Sequence, residues 1–143
     1  MIKEREVEND DERQPIPGAL GLQLIQSHML QFPNSENVQL IGLDIILKCL
    51  DNKNYLDDFI DKHYASIVLK TIKVRKFEVK WRAYVTLMKL STSREMCKHI
   101  EKQKGCEVIL NELKQWFDDK TRDKSVLQLA LWSLSNICKL GKY

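Results

Sequence analysis

Few side chains in this sequence are suited to catalysis or metal binding. Four cysteines (Cys49, Cys97, Cys106, Cys138) and three histidines (His28, His63, His99) supply its soft ligands and candidate nucleophiles or bases. Only one stretch approaches metal-ligand spacing: Cys97-Lys98-His99 followed, six residues on, by Cys106. A zinc site needs four converging ligands. Here the fourth is missing nearby, and a helix would turn the other three apart. We therefore expect packing thiols, with no metal and no cofactor. No histidine stands near a Ser or Cys with an orienting acid, and no glycine-rich phosphate loop is present. The acid pairs Asp57-Asp58 and Asp118-Asp119 read as solvated charge. The expectation is a protein that is not an enzyme.

Two other constellations suit binding. Within SVLQLALWSLSNIC, residues 125–138, Trp132 and Asn136 stand four apart and so share a helix face. The indole offers a flat apolar surface. The carboxamide donates to and accepts from a peptide backbone. The competing use of the pair is core packing and a hydrogen bond at a helix end. The second constellation is residues 70–82. It holds six bases (Lys70, Lys73, Arg75, Lys76, Lys80, Arg82) against one acid, Glu78, with Trp81 for stacking. That composition suits an acidic peptide, a phosphate or RNA. The competing use is a solvated charged edge.

The elements that must position these residues are helical. The chain of 143 residues is ample for one domain with a core. Its 5 glycines and 3 prolines are too few for an all-β chain that turns often. Residues 1–14 carry six acids against three bases, about −3. The net charge of +3 therefore leaves about +6 on the remainder. Residues 1–15 show no apolar period and read as a flexible acidic tail. No apolar run approaches the ~18 residues of a membrane span. The opening is charged rather than signal-like. With scattered cysteines, this suggests a reducing interior, the cytoplasm first and the nucleus as an alternative.

From Pro17 onward the period becomes helical. Val38, Ile41, Gly42, Ile45, Ile46 and Cys49 form one wide apolar face, and Leu40, Leu43, Leu47 and Leu50 extend it. A helix that apolar is expected between neighbours. Pro33-Asn34-Ser35 should stop one helix and cap the next, and Thr92-Ser93 should cap another. A short helix is expected through Tyr55, Phe59 and Ile60. Further helices run through residues 67–72, 77–91, 96–103, 108–117 and 125–138.

The chain also repeats. With Val38, Val79 and Val126 as origins, 41 and 47 residues apart, position +4 is Gly42, Ala83 and Ala130. Position +5 is Leu43, Tyr84 and Leu131. Position +8 is Ile46, Leu87 and Leu134, and position +11 is Cys49, Leu90 and Ile137. A small residue at +4 in every copy lets a neighbouring helix approach closely.

This pattern resembles the armadillo repeat: a short helix, a glycine-led second helix and a long third helix. Residues 125–137 carry the likeness best, and Glu36-Asn37-Val38-Gln39 matches the start of the third helix in the first copy. HEAT repeats are the near neighbour. The resemblance covers about residues 17–140, in copies of about 16–51, 52–91 and 92–141. It implies an all-α, right-handed α-solenoid of about three repeats, since such repeats bury their apolar faces only by stacking. It also implies a groove lined by third helices. In members similar to importin-α, a Trp and an Asn four residues later hold an extended peptide there. Trp132 and Asn136 match that pair. The equivalent positions, Asp44/Lys48 and Val85/Lys89, lack it, which argues against an importin-like adaptor for basic targeting peptides.

The function expected is a protein-interaction scaffold or adaptor binding an extended peptide or helix, or further repeats of its own chain. Alternatives are an RNA- or phosphate-binding repeat using residues 70–82, and self-assembly through an uncovered C-terminal helix. Another rests on a likeness of residues 127–143 to armadillo domains of cullin ubiquitin-ligase substrate receptors.

Overall fold

The computed structural model describes residues 19–51, 62–117 and 124–140. These form seven helices and no strand. They are α1 (Ala19–Gln31), α2 (Glu36–Leu50), α3 (Lys62–Thr71), α4 (Phe77–Leu90), α5 (Arg94–Lys102), α6 (Gly105–Phe117) and α7 (Lys124–Leu140). The expected acidic tail, the short helix expected through Tyr55, Phe59 and Ile60, and the charged loop expected at 118–123 lie outside the described residues.

Local chemistry sets several helix ends. Ser35 accepts from the Val38 amide at 3.3 Å and starts α2, and Ser93 accepts from the Met96 amide at 3.3 Å and starts α5. Gln39 is buried on α2. Its amide nitrogen donates to the Met29 carbonyl at 2.9 Å and the Phe32 carbonyl at 3.0 Å. One side chain thus satisfies two carbonyls that the end of α1 leaves without helical partners. Lys104, between α5 and α6, takes φ 60°, the left-handed conformation of a helix C-terminus. Gly105 follows it and opens α6.

The helices pack in two rows. In the first, α2 lies against α4 and α4 against α7. In the second, α1 lies against α3, and α3 against α6 more lightly. The rows are joined by α1 on α2, α3 on α4 and α6 on α7, while α5 fills the corner among α3, α6 and α7.

The repeat register reappears as burial. Gly42, Ala83 and Ala130 are buried, as are Cys49, Leu90 and Ile137. At Gly42 an added β-carbon would meet the Met29 sulfur at 2.5 Å, so the small residue lets α1 close on α2. The copies part at +5 and +8. Leu43, Tyr84, Ile46 and Leu87 are fully buried, whereas Leu131 is 52% exposed and Leu134 is half-buried. The cause is position in the row: α7 covers that side of α4, and among the described residues no helix covers it on α7.

The α5–α6 corner generates a paired prediction. Lys104→Gly relieves a left-handed residue and should raise stability by about 1 kcal/mol. Gly105→Ala would place its methyl against the Ile100 side chain and 2.9 Å from the Ile100 carbonyl oxygen. It should lower stability by about 1–3 kcal/mol. Urea unfolding midpoints check both.

Candidate functional site

Positions +2, +6 and +10 of α2, α4 and α7, counted from Val38, Val79 and Val126, are four residues apart and share a face. On α2 they are Leu40, Asp44 and Lys48; on α4, Trp81, Val85 and Lys89; on α7, Gln128, Trp132 and Asn136. Trp132 is 58% exposed and Trp81 38%, on two helices that pack side by side. Val85 is half-buried and Lys48 exposed.

Of the other members, Leu40 is half-buried and Gln128 exposed, while Asp44, Lys89 and Asn136 are engaged within the fold. Arg82 of α4 pairs with Asp44 of α2. The Lys89 ammonium donates to the Asp51 carboxylate, and the Asn136 amide donates to the Ser91 hydroxyl at 3.0 Å. Asp51 is the C-cap of α2 and Ser91 the C-cap of α4. Position +10 therefore does one job twice: it fastens α4 to the C-terminus of α2, and α7 to the C-terminus of α4. Ser91 is fully buried and is the hub of its junction. Its hydroxyl donates to the Met88 carbonyl at 2.7 Å, and its own carbonyl accepts from the Cys97 thiol at 3.0 Å. Sequence reasoning weighed a groove role for Asn136 against a hydrogen bond at a helix end, and the bond to Ser91 is of the second kind. The available signal for a latch was that +10 is polar in all three copies, Lys48, Lys89 and Asn136.

The six bases of residues 70–82 do not form one surface. Lys80 reaches α6, where its ammonium lies 3.0 Å from the Glu112 carboxylate, both side chains largely buried. Arg82 faces α2. The other four, Lys70, Lys73, Arg75 and Lys76, line an open cleft of about 460 Å³. The α1–α2 turn, through Pro33 and Asn34, forms its other wall, with Glu36, Gln39 and Val74. Trp81 is not among the lining residues.

Sequence reasoning did not single out two apolar surfaces. A groove of about 260 Å³ between α1 and α2 is walled by Ile25, Met29, Val38, Ile41 and Ile45, with Ile41 62% exposed. At the other end of the rows, Leu110 of α6 and Leu131 of α7 are each 52% exposed.

The thiols are spread over different settings. Cys97 is buried, and burial with the nearby Glu101 carboxylate pushes its thiol up to about 11. Burial, a hydrogen bond to Glu101 and the adjacent Cys138 thiol push Cys106 up to about 12. Burial raises Cys49 as well. Cys138 is exposed. Among the described residues, no three His, Cys, Asp or Glu side chains gather as a metal site. None of the described helices is long and apolar enough to cross a membrane.

The described residues thus define an all-helical protein of seven packed helices. No family model, curated protein or solved structure matches the chain.

Two outcomes follow. Asn136→Ala should cost about 1 kcal/mol of stability, and adding Ser91→Ala should cost less than the sum of the two single changes, because they share one bond. A double-mutant cycle of denaturation midpoints reads this. In iodoacetamide labelling at pH 8 followed by mass spectrometry, Cys138 should react first. Cys97 should resist, with about a thousandth of its thiol ionised.

Proposed function

We propose that this protein is a non-catalytic interaction scaffold that binds an extended peptide or helix along the exposed face of its third helices. The architecture behind this reading is an armadillo-like right-handed α-solenoid, with α2, α4 and α7 as third helices. Support for it comes from the two rows of packed helices and from the recurrence of burial at +4 and +11 in all three copies.

The observation that carries the binding reading is Trp132, a large apolar ring left 58% exposed on the middle of α7. Packing does not require it there, because the adjoining core positions Ala130, Ser133 and Ile137 are already buried. Trp81 on the neighbouring helix adds a second partly exposed ring. Tryptophan supplies large contact area at low entropy cost and is enriched where binding energy concentrates. The same face contains the Arg82–Asp44 pair and the Lys89 and Asn136 latches. We assign these to holding the groove floor rigid and assign peptide contact to the indoles.

The test is selection from a displayed library of random peptides, followed by affinity measurement on the full chain. Trp132→Ala should weaken the selected peptides about tenfold or more. Its stability should change by less than about 0.5 kcal/mol, since the ring is mostly in solvent. Selected peptides that bind Trp132→Ala and wild type equally would defeat the proposal, as would a selection that enriches nothing.

A further inference from the structure

The cation cleft is a second site, separate from the tryptophan face. Its four bases come from two places: Lys70 from the last turn of α3, and Lys73, Arg75 and Lys76 from the connection to α4. They converge on the α1–α2 turn, which offers one acid, Glu36. Lys76 approaches that carboxylate only to 4.0 Å, with both side chains about half exposed. Such a pair contributes little. The two bases nearby in sequence that do find close partners, Lys80 and Arg82, point elsewhere. The four that remain repel one another around a common space.

A second feature of the same space favours an anion. Lys76 is the N-cap of α4 and gives it no side-chain cap. The first turn of α4 therefore starts from a cleft residue and lacks the oxygen acceptor that Ser35 supplies to α2. The positive end of the helix dipole there adds to the four side-chain charges, offset in part by Glu78 in the same turn.

We propose that this cleft binds an acidic segment of a protein partner, whose Asp and Glu carboxylates are taken by Lys70, Lys73, Arg75 and Lys76. Charge complementarity identifies the occupant: four cations against one carboxylate, in a space that takes a few side chains. A nucleic acid would bring the same charge, but its bases need a stacking platform, worth about 1–3 kcal/mol per base. Among the described residues, no aromatic ring lines the cleft. Glutamate and aspartate side chains need none. The site is independent of the tryptophan face and stands or falls without it.

The experiment measures fluorescence anisotropy of a labelled glutamate-rich peptide against the full chain, at low salt and at about 0.3 M salt. Binding is expected at low salt, weakening steeply as salt rises. Lys73→Gln/Lys76→Gln should reduce affinity about tenfold while leaving the melting midpoint in place, because both side chains are exposed. Lys102→Gln/Lys124→Gln removes the same charge from exposed sites on α5 and α7 and should leave affinity within about twofold. Arg75→Gln alone, in the exposed connection, gives a second reading should the double variant unfold, with a loss again expected. Equal losses in the cleft and control variants would reduce the effect to net charge and overturn the site. No binding at low salt would overturn it too. Tighter binding of a length-matched single-stranded RNA, lost in the same cleft variant, would overturn the acidic-peptide assignment. Trp132→Ala should leave this affinity unchanged, which separates failure here from failure of the groove reading.

Discussion

A helix whose apolar face is too wide for one neighbour must be covered by several, and this constraint governs the molecule. α4 is the clearest case. Val79, Ala83, Tyr84, Leu87 and Leu90 are all at or near zero exposure, and at 100° per residue they spread over about 140° of its circumference. α2 takes one flank, α7 another and α3 a third. Each fully buried large side chain contributes about 1.5–3 kcal/mol. These contributions require neighbours on several sides at once, so the rows of helices follow from α4. The uneven burial of the repeat has the same origin. Leu131 occupies the register position of Leu43 and Tyr84, yet it has no covering helix among the described residues.

Stacking α2, α4 and α7 side by side creates a second requirement. The C-terminus of each leaves carbonyls and a cap residue at the edge of the next. Lys89 and Asn136 meet that requirement from the same register position with different chemistry, an ammonium to the Asp51 carboxylate and a carboxamide to the Ser91 hydroxyl. Both cap residues also close their own helices through their backbone amides, so helix termination and helix stacking use the same residues. The Cys97 thiol joins the second junction by donating to the Ser91 carbonyl, drawing α5 into it. Asp44, Lys89 and Asn136, polar positions that look available for ligands from the repeat register, are therefore internal fasteners.

Much of the architecture was legible locally. The 3.6 period over residues 38–49 and 126–137 announced α2 and α7, and Ser35 and Ser93 announced helix starts that their hydroxyls do cap. The small residues at Gly42, Ala83 and Ala130 marked close approach, and all three are buried. The site was less legible. The bases of residues 70–82 read as one patch, but they lie on a loop and a helix, and the turn of α4 sends Lys80 to Glu112 and Arg82 to Asp44. Charge counted along a chain ignores that rotation. The cleft's opposite wall, Pro33 and Asn34, comes from a turn almost forty residues earlier and left no mark near Lys70.

The sequence by itself determined the helical class, several helix starts and the repeat register, because each rests on periods and caps spanning a few residues. Tertiary structure alone decided which polar residues are occupied. The partners of Arg82, Lys89 and Asn136 lie 38, 38 and 45 residues away in the chain. A hydrogen bond is a relation between two distant residues, and a sequence read along one helix holds only half of it. The exposure of Trp132 was decided in the same way, by which helices stand beside α7 and not by any residue within it.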